Sequence, residues 1–248
     1  MNELMKNAVV SDYNGFEQRE FDLYGHRAYV ISPNGEPNGR WIWRAEFLGA
    51  FDTVDVEMVR RGYTLVTYSI SDMYGCDEAV ELMKQFYDFC ISELNLSEHT
   101  ILFGFSRGGL YSANFALKYP SLVSALYLDA PVLDIKSWPG GLGVGVGSEH
   151  NFKECLEIYG LDRSSVLSFK GNPADRLSEL ADNKIPVVLV AGAVDEDVPL
   201  SENGALLASV YEMTDVPFLY IVKENCAHHP HSVDDPTDIC MFLETVAL

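Results

Sequence analysis

One short run in this 248-residue chain has the residue types and context of an activated serine. Residues 104–108 read GFSRG, which matches G-x-S-x-G, although Gly and Ser are common enough to make the pentapeptide alone a weak signal. An apolar run of strand length, residues 100–105, leads into it, and a helical run, residues 107–119, leads out of it. A sharp strand–turn–helix bend of this kind exposes a serine nucleophile, here Ser106, above a sheet. The alternative is a glycine-rich turn in which Ser106 only caps the helix.

An activated serine also needs a base and a group that orients the base. Acidic residues follow a late apolar run, residues 185–191, in the sequence GAVDEDVP. We predict Asp195 as the orienting acid, because a carboxylate at this point can bind a histidine Nδ1–H and fix the tautomer. Asp197 is the local rival, and Asp129, which follows an earlier apolar run, is a more distant one. The alternative without catalysis is a solvated acidic loop that caps the next helix.

Three of the six histidines stand together in the run CAHHPH, residues 226–231. This run follows the last apolar segment, residues 218–222, so its side chains would reach the edge where the parallel strands end. We therefore predict His228 as the base. Its neighbours His229 and His231 are predicted to support the site or the fold.

Clustered imidazoles also bind Zn²⁺, so a metal site is the alternative use of these histidines. Asp234 and Asp235 lie close by in the sequence and could add ligands. We expect no metal, because adjacent histidine side chains diverge and no Cys or Glu stands at a recognised ligand spacing. No organic cofactor is expected either.

The elements that must position these residues alternate regularly after residue 62. Continuous apolar runs alternate with amphipathic helical runs, which predicts a mostly parallel sheet with helices on both faces. The predicted strands are residues 63–70, 100–105, 123–128, 185–191 and 218–222, and the predicted helices are residues 77–94, 107–119, 202–212 and 238–246.

The N-terminal third is less regular. Residues 20–31 predict two short strands that turn at Gly25 and His26 and add an antiparallel edge to the sheet. The aromatic run RWIWR, residues 40–44, predicts another strand. Apolar residues then recur at helical spacing, which predicts a helix over residues 45–61.

Residues 134–183 interrupt the alternation, because they contain a glycine-rich stretch and short helical pieces but no strand pattern. We predict a small cap-like insertion over the carboxyl ends of the strands, since long segments of this kind inside a compact domain are usually functional or flexible. No repeat or low-complexity tract divides the chain. We therefore predict a single α/β domain over residues 1–248.

Taken together, these residues resemble those of the α/β-hydrolase superfamily of serine hydrolases. The resemblance runs from RWIWR through GFSRGG and GAVDEDVP to HHPHS, residues 228–232, and the chain order Ser106, Asp195, His228 is also that of the superfamily. The runs SRGG and HHPHS are similar to a compact bacterial branch of esterases, some of them associated with polysaccharide breakdown. The resemblance implies the α/β-hydrolase fold with Ser106 as nucleophile, His228 as base and Asp195 as acid.

The resemblance also implies an oxyanion hole made of two backbone N–H groups. The first belongs to the residue after the nucleophile, Arg107, where the start of a helix directs N–H groups at developing negative charge. The second comes from the segment after an early strand, but the His-Gly usual there is missing and WIWR stands in its place. We predict Trp43 as the second donor, with Arg44 close behind.

Three further residues are predicted to contact substrate. Tyr74 follows the predicted strand 63–70, Trp138 begins the insertion and could stack on a sugar ring, and Arg44 offers a positive charge. Ordinary packing is the alternative for each. The Arg107 side chain has two interpretations, a cation for a substrate carboxylate or a structural salt bridge.

The function predicted from these residues is hydrolysis of a carboxylic ester through an acyl-enzyme. The predicted substrate is a small acyl ester, and the resemblance suggests esters of carbohydrates. A peptidase of the prolyl-oligopeptidase type is the nearest alternative, although such enzymes normally carry a large additional domain. A non-catalytic protein that binds a small molecule on a hydrolase fold is the alternative from a different class.

Composition limits the partners and the location. The net charge of −20 disfavours nucleic acid and membrane surfaces, and the oligomeric state stays open. The first ten residues lack the apolar core of a signal peptide, and five scattered cysteines without a CxxC pair suit a reducing compartment. A cytoplasmic location is the prediction.

Overall fold

A nine-stranded sheet forms the centre of the computed structural model, which describes residues 3–247. The strand order is β1-β2-β3-β5-β4-β6-β7-β8-β9. The pairs β1–β2, β2–β3 and β3–β5 are antiparallel. The pairs from β5–β4 to β8–β9 are parallel. The strands are β1 (Val9–Tyr13), β2 (Phe16–Leu23), β3 (His26–Ser32), β4 (Trp41–Arg44), β5 (Thr64–Tyr68), β6 (Thr100–Phe105), β7 (Val123–Asp129), β8 (Val187–Gly192) and β9 (Phe218–Lys223).

Helices cover both faces of this sheet, as the continuous apolar strands predict. The helices are α1 (Glu3–Asn7), α2 (Thr53–Arg60), α3 (Asp77–Leu94), α4 (Gly108–Lys118), α5 (Glu149–Tyr159), α6 (Leu177–Asp182), α7 (Gly204–Tyr211) and α8 (Thr237–Val246). One buried cluster joins the sheet to α3, α4, α6 and α7, and a second joins the other face to α2 and α8. The predicted antiparallel edge is present, with β1 as a third strand that the sequence did not indicate.

The helix predicted over residues 45–61 is wrong in its first half, because α2 begins only at Thr53. Phe47 and Phe51 have φ angles of 59° and 53°, in the left-handed region that a helix cannot contain. The Arg44 side chain holds this segment as a loop, since Nε donates to the carbonyl of Glu46 at 2.9 Å and Nη2 to that of Ala50 at 2.6 Å.

Arg44 therefore has a structural role, and its contact with substrate stays a prediction. Its side chain is fully buried, its Nη1 donates to Asp55 Oδ2 at 2.7 Å, and its guanidinium lies 3.5 Å from the centre of the Phe105 ring. Burial raises the pKa of the Asp55 carboxyl, and the Arg44 cation opposes that rise. The pair thus joins the end of β4 to α2 and fixes the loop between them, which is called the 45–51 loop below.

Replacing Arg44 with methionine is expected to lower the free energy of unfolding by about 3–5 kcal/mol, because it leaves Asp55 buried without its cation. The loss should grow with rising pH, since a buried carboxyl with a raised pKa costs more once it must ionise. Urea denaturation at several pH values measures both effects. Arg60→Met is the matched control: the Arg60–Glu57 pair is exposed, so its loss should cost about 0.5 kcal/mol or less. A similar small cost for Arg44→Met would contradict this role.

The segment from 134 to 183 contains α5 and α6 and no strand. Its apolar side chains form a third buried cluster in which Ile135, Phe152 and Val166 pack against Leu110 of α4. Its start is tied to the loop after β8, because Ser137 Oγ donates to Glu202 at 2.7 Å. The division into one domain with a cap stays a prediction.

Two further features of the described chain concern its cysteines and its helices. All five cysteines are free, in keeping with their scattered spacing. Among residues 3–247, no helix combines the length and the apolar character needed to cross a bilayer. The cytoplasmic location itself stays a prediction.

Candidate functional site

Ser106 occupies a sharp turn between β6 and α4. Its φ angle is 48°, a strained conformation for a residue with a side chain. Two hydrogen bonds hold the turn: the Ser106 N–H donates to the carbonyl of Asp129, and the Val132 N–H donates to the carbonyl of Ser106, each at 2.9 Å. The strand, the turn and the helix are those that G-x-S-x-G requires in order to present a nucleophile.

The small residues that permit this bend are Gly104 and Gly109. A Cβ on Gly104 would lie 2.8 Å from the carbonyl oxygen of Gly108, and one on Gly109 would lie 2.6 Å from Pro131 Cβ. Both distances are too short for any other residue. At Gly108 a Cβ would meet nothing closer than 3.7 Å, so the glycine that the motif names there is not required by space.

A chain of hydrogen bonds runs from Ser106 through His228 to Asp195. Ser106 Oγ lies 2.8 Å from His228 Nε2, and His228 Nδ1 lies 2.7 Å from Asp195 Oδ2. Because an ionised carboxylate only accepts, Nδ1 carries the proton and Nε2 is left with a lone pair directed at the serine hydroxyl. The second oxygen, Asp195 Oδ1, accepts from the N–H groups of Asp197 and Val198. The structure thus brings together the three residues predicted as nucleophile, base and acid.

A second carboxylate–imidazole pair, which was not predicted from the sequence, lies beside the first. His231 Nδ1 is 2.7 Å from Asp129 Oδ1, and both side chains are buried. The other oxygen of Asp129 accepts from the Ser232 N–H at 2.8 Å and from the Tyr127 hydroxyl at 3.1 Å. Asp129, the distant rival to Asp195, is therefore committed to His231. The only signals for this pair in the sequence were its position after an apolar run and the third histidine of HHPH.

The three histidine rings converge, which contradicts the expectation that neighbouring histidines diverge. The ring centres of His228, His229 and His231 lie 4.7–4.9 Å apart, and the ring planes meet at angles of 64–88°. Phe51 stacks on His229, with 5.4 Å between the ring centres, and packs edge-on against His231. The 45–51 loop therefore supports the histidine cluster from one side.

A cavity of about 420 Å³ opens beside Ser106. Aromatic side chains and the three histidines make up most of its wall, and Asp197 adds an acidic group at the rim. The lining residues are Arg44, Phe47, Ala50, Phe51, Phe105, Ser106, Trp138, Asp197, His228, His229 and His231. A small uncharged group next to the serine would suit such a wall.

Of the residues predicted to bind substrate, Trp138 and Arg44 line this cavity and Tyr74 does not. Tyr74 is fully buried behind it, with its ring centre 6.2 Å from that of Trp138. The Tyr74 hydroxyl lies 2.6 Å from Glu154 and 3.1 Å from Asn151 of α5. Burial, then the hydrogen bond to Glu154, raises the pKa of Tyr74 and keeps the phenol protonated. The structure thus corrects Tyr74 from a substrate contact to a support for Trp138.

The two predicted oxyanion donors differ in where the structure places them. The first donor is the backbone N–H of Arg107, the residue directly after Ser106. Among residues 3–247 no protein acceptor forms a hydrogen bond with this N–H. Trp43 is contradicted as the second donor, because it lies inside the sheet, pairs with Val66 of β5 and Leu102 of β6, and is fully buried. A backbone N–H used between paired strands cannot serve a substrate oxygen.

The Arg107 side chain forms a salt bridge under the turn, which is the second of its two predicted interpretations. Its guanidinium donates to both oxygens of Glu46, at 2.7 and 2.9 Å, and lies 2.8 Å from Asp72. Burial disfavours the charged guanidinium, but the hydrogen bonds to Glu46 outweigh burial and raise the pKa of Arg107. Arg107 thereby connects the serine turn to the 45–51 loop.

Comparison with known proteins supports the fold and goes no further. No protein-family model matches the sequence, and no curated protein matches it either. Among solved structures, dipeptidyl peptidase 4 of Porphyromonas gingivalis matches 95% of this chain with a TM-score of 0.70 and 14% identity. The chain covers 36% of that peptidase, and it covers similarly small shares, 39% and 40%, of two other peptidases that it matches.

Two solved structures match over nearly their whole length. Acetyl xylan esterase 1 of a Thermoanaerobacterium species has 16% identity and a TM-score of 0.64, over 98% of this chain and 90% of that one. An S-formylglutathione hydrolase of Agrobacterium tumefaciens has 14% identity and a TM-score of 0.63, over 96% of this chain and 97% of that one. The chain has the α/β-hydrolase fold that was predicted.

Proposed function

We propose that this protein is a serine hydrolase that cleaves a small carboxylic ester through an acyl-enzyme intermediate. The observation that carries the proposal is the hydrogen-bond chain Ser106–His228–Asp195, with distances of 2.8 and 2.7 Å, at the wall of a cavity. A serine, a base and an orienting acid in hydrogen-bond contact are the parts that nucleophilic catalysis needs.

In the first half of the reaction, Ser106 Oγ forms a bond to the ester carbonyl carbon while His228 Nε2 takes the hydroxyl proton. The carbonyl π electrons move to oxygen and give a tetrahedral oxyanion. Asp195 holds the His228 ring and stabilises the imidazolium that forms. The intermediate collapses when the alcohol oxygen leaves with the proton from His228, and the acyl group remains on Ser106.

In the second half, water takes the place of the alcohol. His228 Nε2 removes a proton from the water as its oxygen attacks the acyl carbon, and the collapse of the second intermediate returns that proton to Ser106 Oγ. The products are a carboxylic acid and the free enzyme. These proton transfers balance with the residues present, so the mechanism uses no metal and no organic cofactor.

The oxyanion would be bound by the N–H of Arg107 and by a second N–H from the 45–51 loop. Phe47 is the best candidate in place of Trp43, because it lines the cavity with Ser106 and its φ of 59° turns the backbone out of the sheet. Arg44 and Arg107 fix this loop from two sides. Donors held before the reaction need no reorganisation as charge develops.

Small acyl esters, including those on carbohydrates, are the proposed substrate class. The cavity places Phe47, Phe51, Phe105 and Trp138 around the serine, and both arginines near it are engaged in salt bridges. A substrate carboxylate would therefore find little positive charge there. The acetyl xylan esterase supports this class, because this chain spans 90% of its length, whereas it spans only 36% of the dipeptidyl peptidase.

A peptidase is the second candidate, favoured by the TM-score of 0.70 to dipeptidyl peptidase 4. Amides have poorer leaving groups than esters, and a peptidase that recognises a free N-terminus needs a group that binds the amine. The exposed Asp197 at the cavity rim is the group that could bind a substrate amine. Comparing kcat/KM for matched aminoacyl esters and anilides separates the two candidates.

The experiment that tests the proposal is intact-mass analysis after treatment with a fluorophosphonate, which reacts with activated serines whatever the natural substrate. We expect one adduct on the parent protein and none on Ser106→Ala. Ser209→Ala, which removes an exposed hydroxyl on α7, is the matched control and should label fully. A folded parent without an adduct would favour the non-catalytic binding protein, and an adduct on Ser106→Ala would identify a different nucleophile.

A further inference from the structure

The histidine cluster brings three imidazole nitrogens close together. One ring nitrogen from each of His228, His229 and His231 lies within 4.8 Å of the other two. Two of these side chains are buried and the third is exposed, so the cluster is fixed on one side and open on the other. The catalytic steps proposed above use only His228.

Two carboxylates prepare this cluster for a cation. Asp195 binds Nδ1 of His228 and Asp129 binds Nδ1 of His231, each at 2.7 Å. Each pairing leaves Nε2 as the ring nitrogen with a lone pair, which on His228 now accepts the hydrogen bond from Ser106. A carboxylate behind a histidine is the arrangement that orients imidazoles at metal centres and makes them more basic ligands. The proposed catalysis gives the Asp129–His231 pair no role, whereas metal binding gives it one.

The donor set selects the kind of ion. Imidazole nitrogens suit Zn²⁺ and neighbouring transition ions, whereas Mg²⁺ and Ca²⁺ prefer oxygen ligands. With Zn–N bonds of about 2.0–2.1 Å, ligand nitrogens in a tetrahedral site lie about 3.4 Å apart. The rings need to approach one another by only a small movement from their present spacing. The cavity leaves a fourth position open to water or a small ligand.

We propose that His228, His229 and His231 form an inhibitory binding site for Zn²⁺. The inference of inhibition rests on the proposed function, because the ion takes the Nε2 lone pair of His228 that would otherwise accept the Ser106 proton. A nitrogen–zinc bond replaces the 2.8 Å hydrogen bond, and the serine keeps its proton. Bound zinc would thus switch the hydrolase off until a chelator removes the ion.

Metal binding is tested first, by a readout that does not depend on catalysis. Chelator-treated protein is titrated with Zn²⁺ by calorimetry and with Co²⁺ by visible absorption, which reports nitrogen coordination. We expect one ion per chain and a Kd at least about 10–100-fold weaker in His229→Gln, since even loss of an outer partner costs this much. His99→Gln, an exposed histidine beside the start of β6, is the matched control and should bind like the parent. Equal binding by His229→Gln and the parent would overturn the site.

Inhibition is tested by the rate of fluorophosphonate labelling of Ser106 with and without Zn²⁺. At a zinc concentration ten times Kd the rate should fall about tenfold, as simple occupancy requires, and a chelator should restore it. In His229→Gln, compared with its own metal-free rate, the same zinc concentration should slow labelling much less. Zinc that binds without slowing labelling, or that accelerates it, would overturn the inhibitory role. Zinc binding to a protein whose Ser106 never reacts would uphold the metal site and overturn the proposed function instead.

Discussion

Replacing His228 with glutamine is expected to lower kcat for ester hydrolysis by about 10⁶-fold, the scale of loss measured when the base of a serine hydrolase triad is removed. His228 Nε2 is the group 2.8 Å from Ser106 Oγ, so the variant has no base for the serine proton in either half of the reaction. Steady-state hydrolysis of an acetyl ester, with the labelling rate of Ser106 as a second readout, measures the loss. Residual turnover would come from the oxyanion donors and binding alone.

His231→Gln is the comparison that makes this prediction specific. His231 lies in the same run of sequence and lines the same cavity. Its Nδ1 is paired with a different carboxylate, Asp129, so it lies beside the Ser106–His228 pair and not within it. We expect this variant to keep most of the labelling rate that the His228 variant loses. A loss in His231→Gln as large as in His228→Gln would mean that His231 moves the proton during turnover.

Two elements near Ser106, the strand that leads to it and the helix before that strand, were predictable because their burial pattern is simple. Helix α3 and strand β6 have the bounds 77–94 and 100–105 that the sequence predicts. In α3 an apolar face repeats over 18 residues, and in β6 every residue is buried. A pattern that long or that uniform has only one way to bury its apolar side chains.

The 45–51 loop was mistaken for a helix for a physical reason. Phe47 and Phe51 stand four residues apart, the spacing of one helix face, but both side chains turn toward the cavity beside Ser106. Apolar periodicity records which residues avoid water and does not distinguish a core from a binding pocket. The same limitation explains Tyr74, an aromatic residue at the correct end of β5 that packs behind the cavity wall instead of in it.

The pairing of distant residues was predictable in one case and not in the other. Ser106 and His228 are 122 positions apart, and the chain order of serine, acid and base pointed to their contact. Asp129 and His231 are 102 positions apart and match no such order. They meet because β7, β8 and β9 are consecutive parallel strands in the sheet, which places the end of β7 and the loop after β9 at one edge. The order of strands in the sheet is a property of the fold, and no local sequence pattern records it.

Replacing Asp195 with asparagine is expected to lower kcat by about 10⁴-fold while the protein stays folded. The carboxylate accepts from His228 Nδ1 at 2.7 Å and so keeps the proton off Nε2. An asparagine amide that donates toward Nδ1 would favour the opposite tautomer, with Nε2 protonated and unable to take the serine proton. Denaturation and the ester assay, measured together, separate this effect from lost stability.

Asp129→Asn is the matched control, because the chain holds two buried carboxylate–imidazole pairs within one cavity wall. Asparagine has one acceptor oxygen where Asp129 uses two, so either His231 Nδ1 or the Ser232 N–H loses its acceptor and stability should fall. It leaves the contacts of His228 in place, and kcat should fall far less than in Asp195→Asn. Equal losses of kcat from the two substitutions would show that the two pairs act as one unit. The separate hydrogen-bond chains argue instead that Asp195 orients the base of Ser106, whereas Asp129 holds the neighbouring His231.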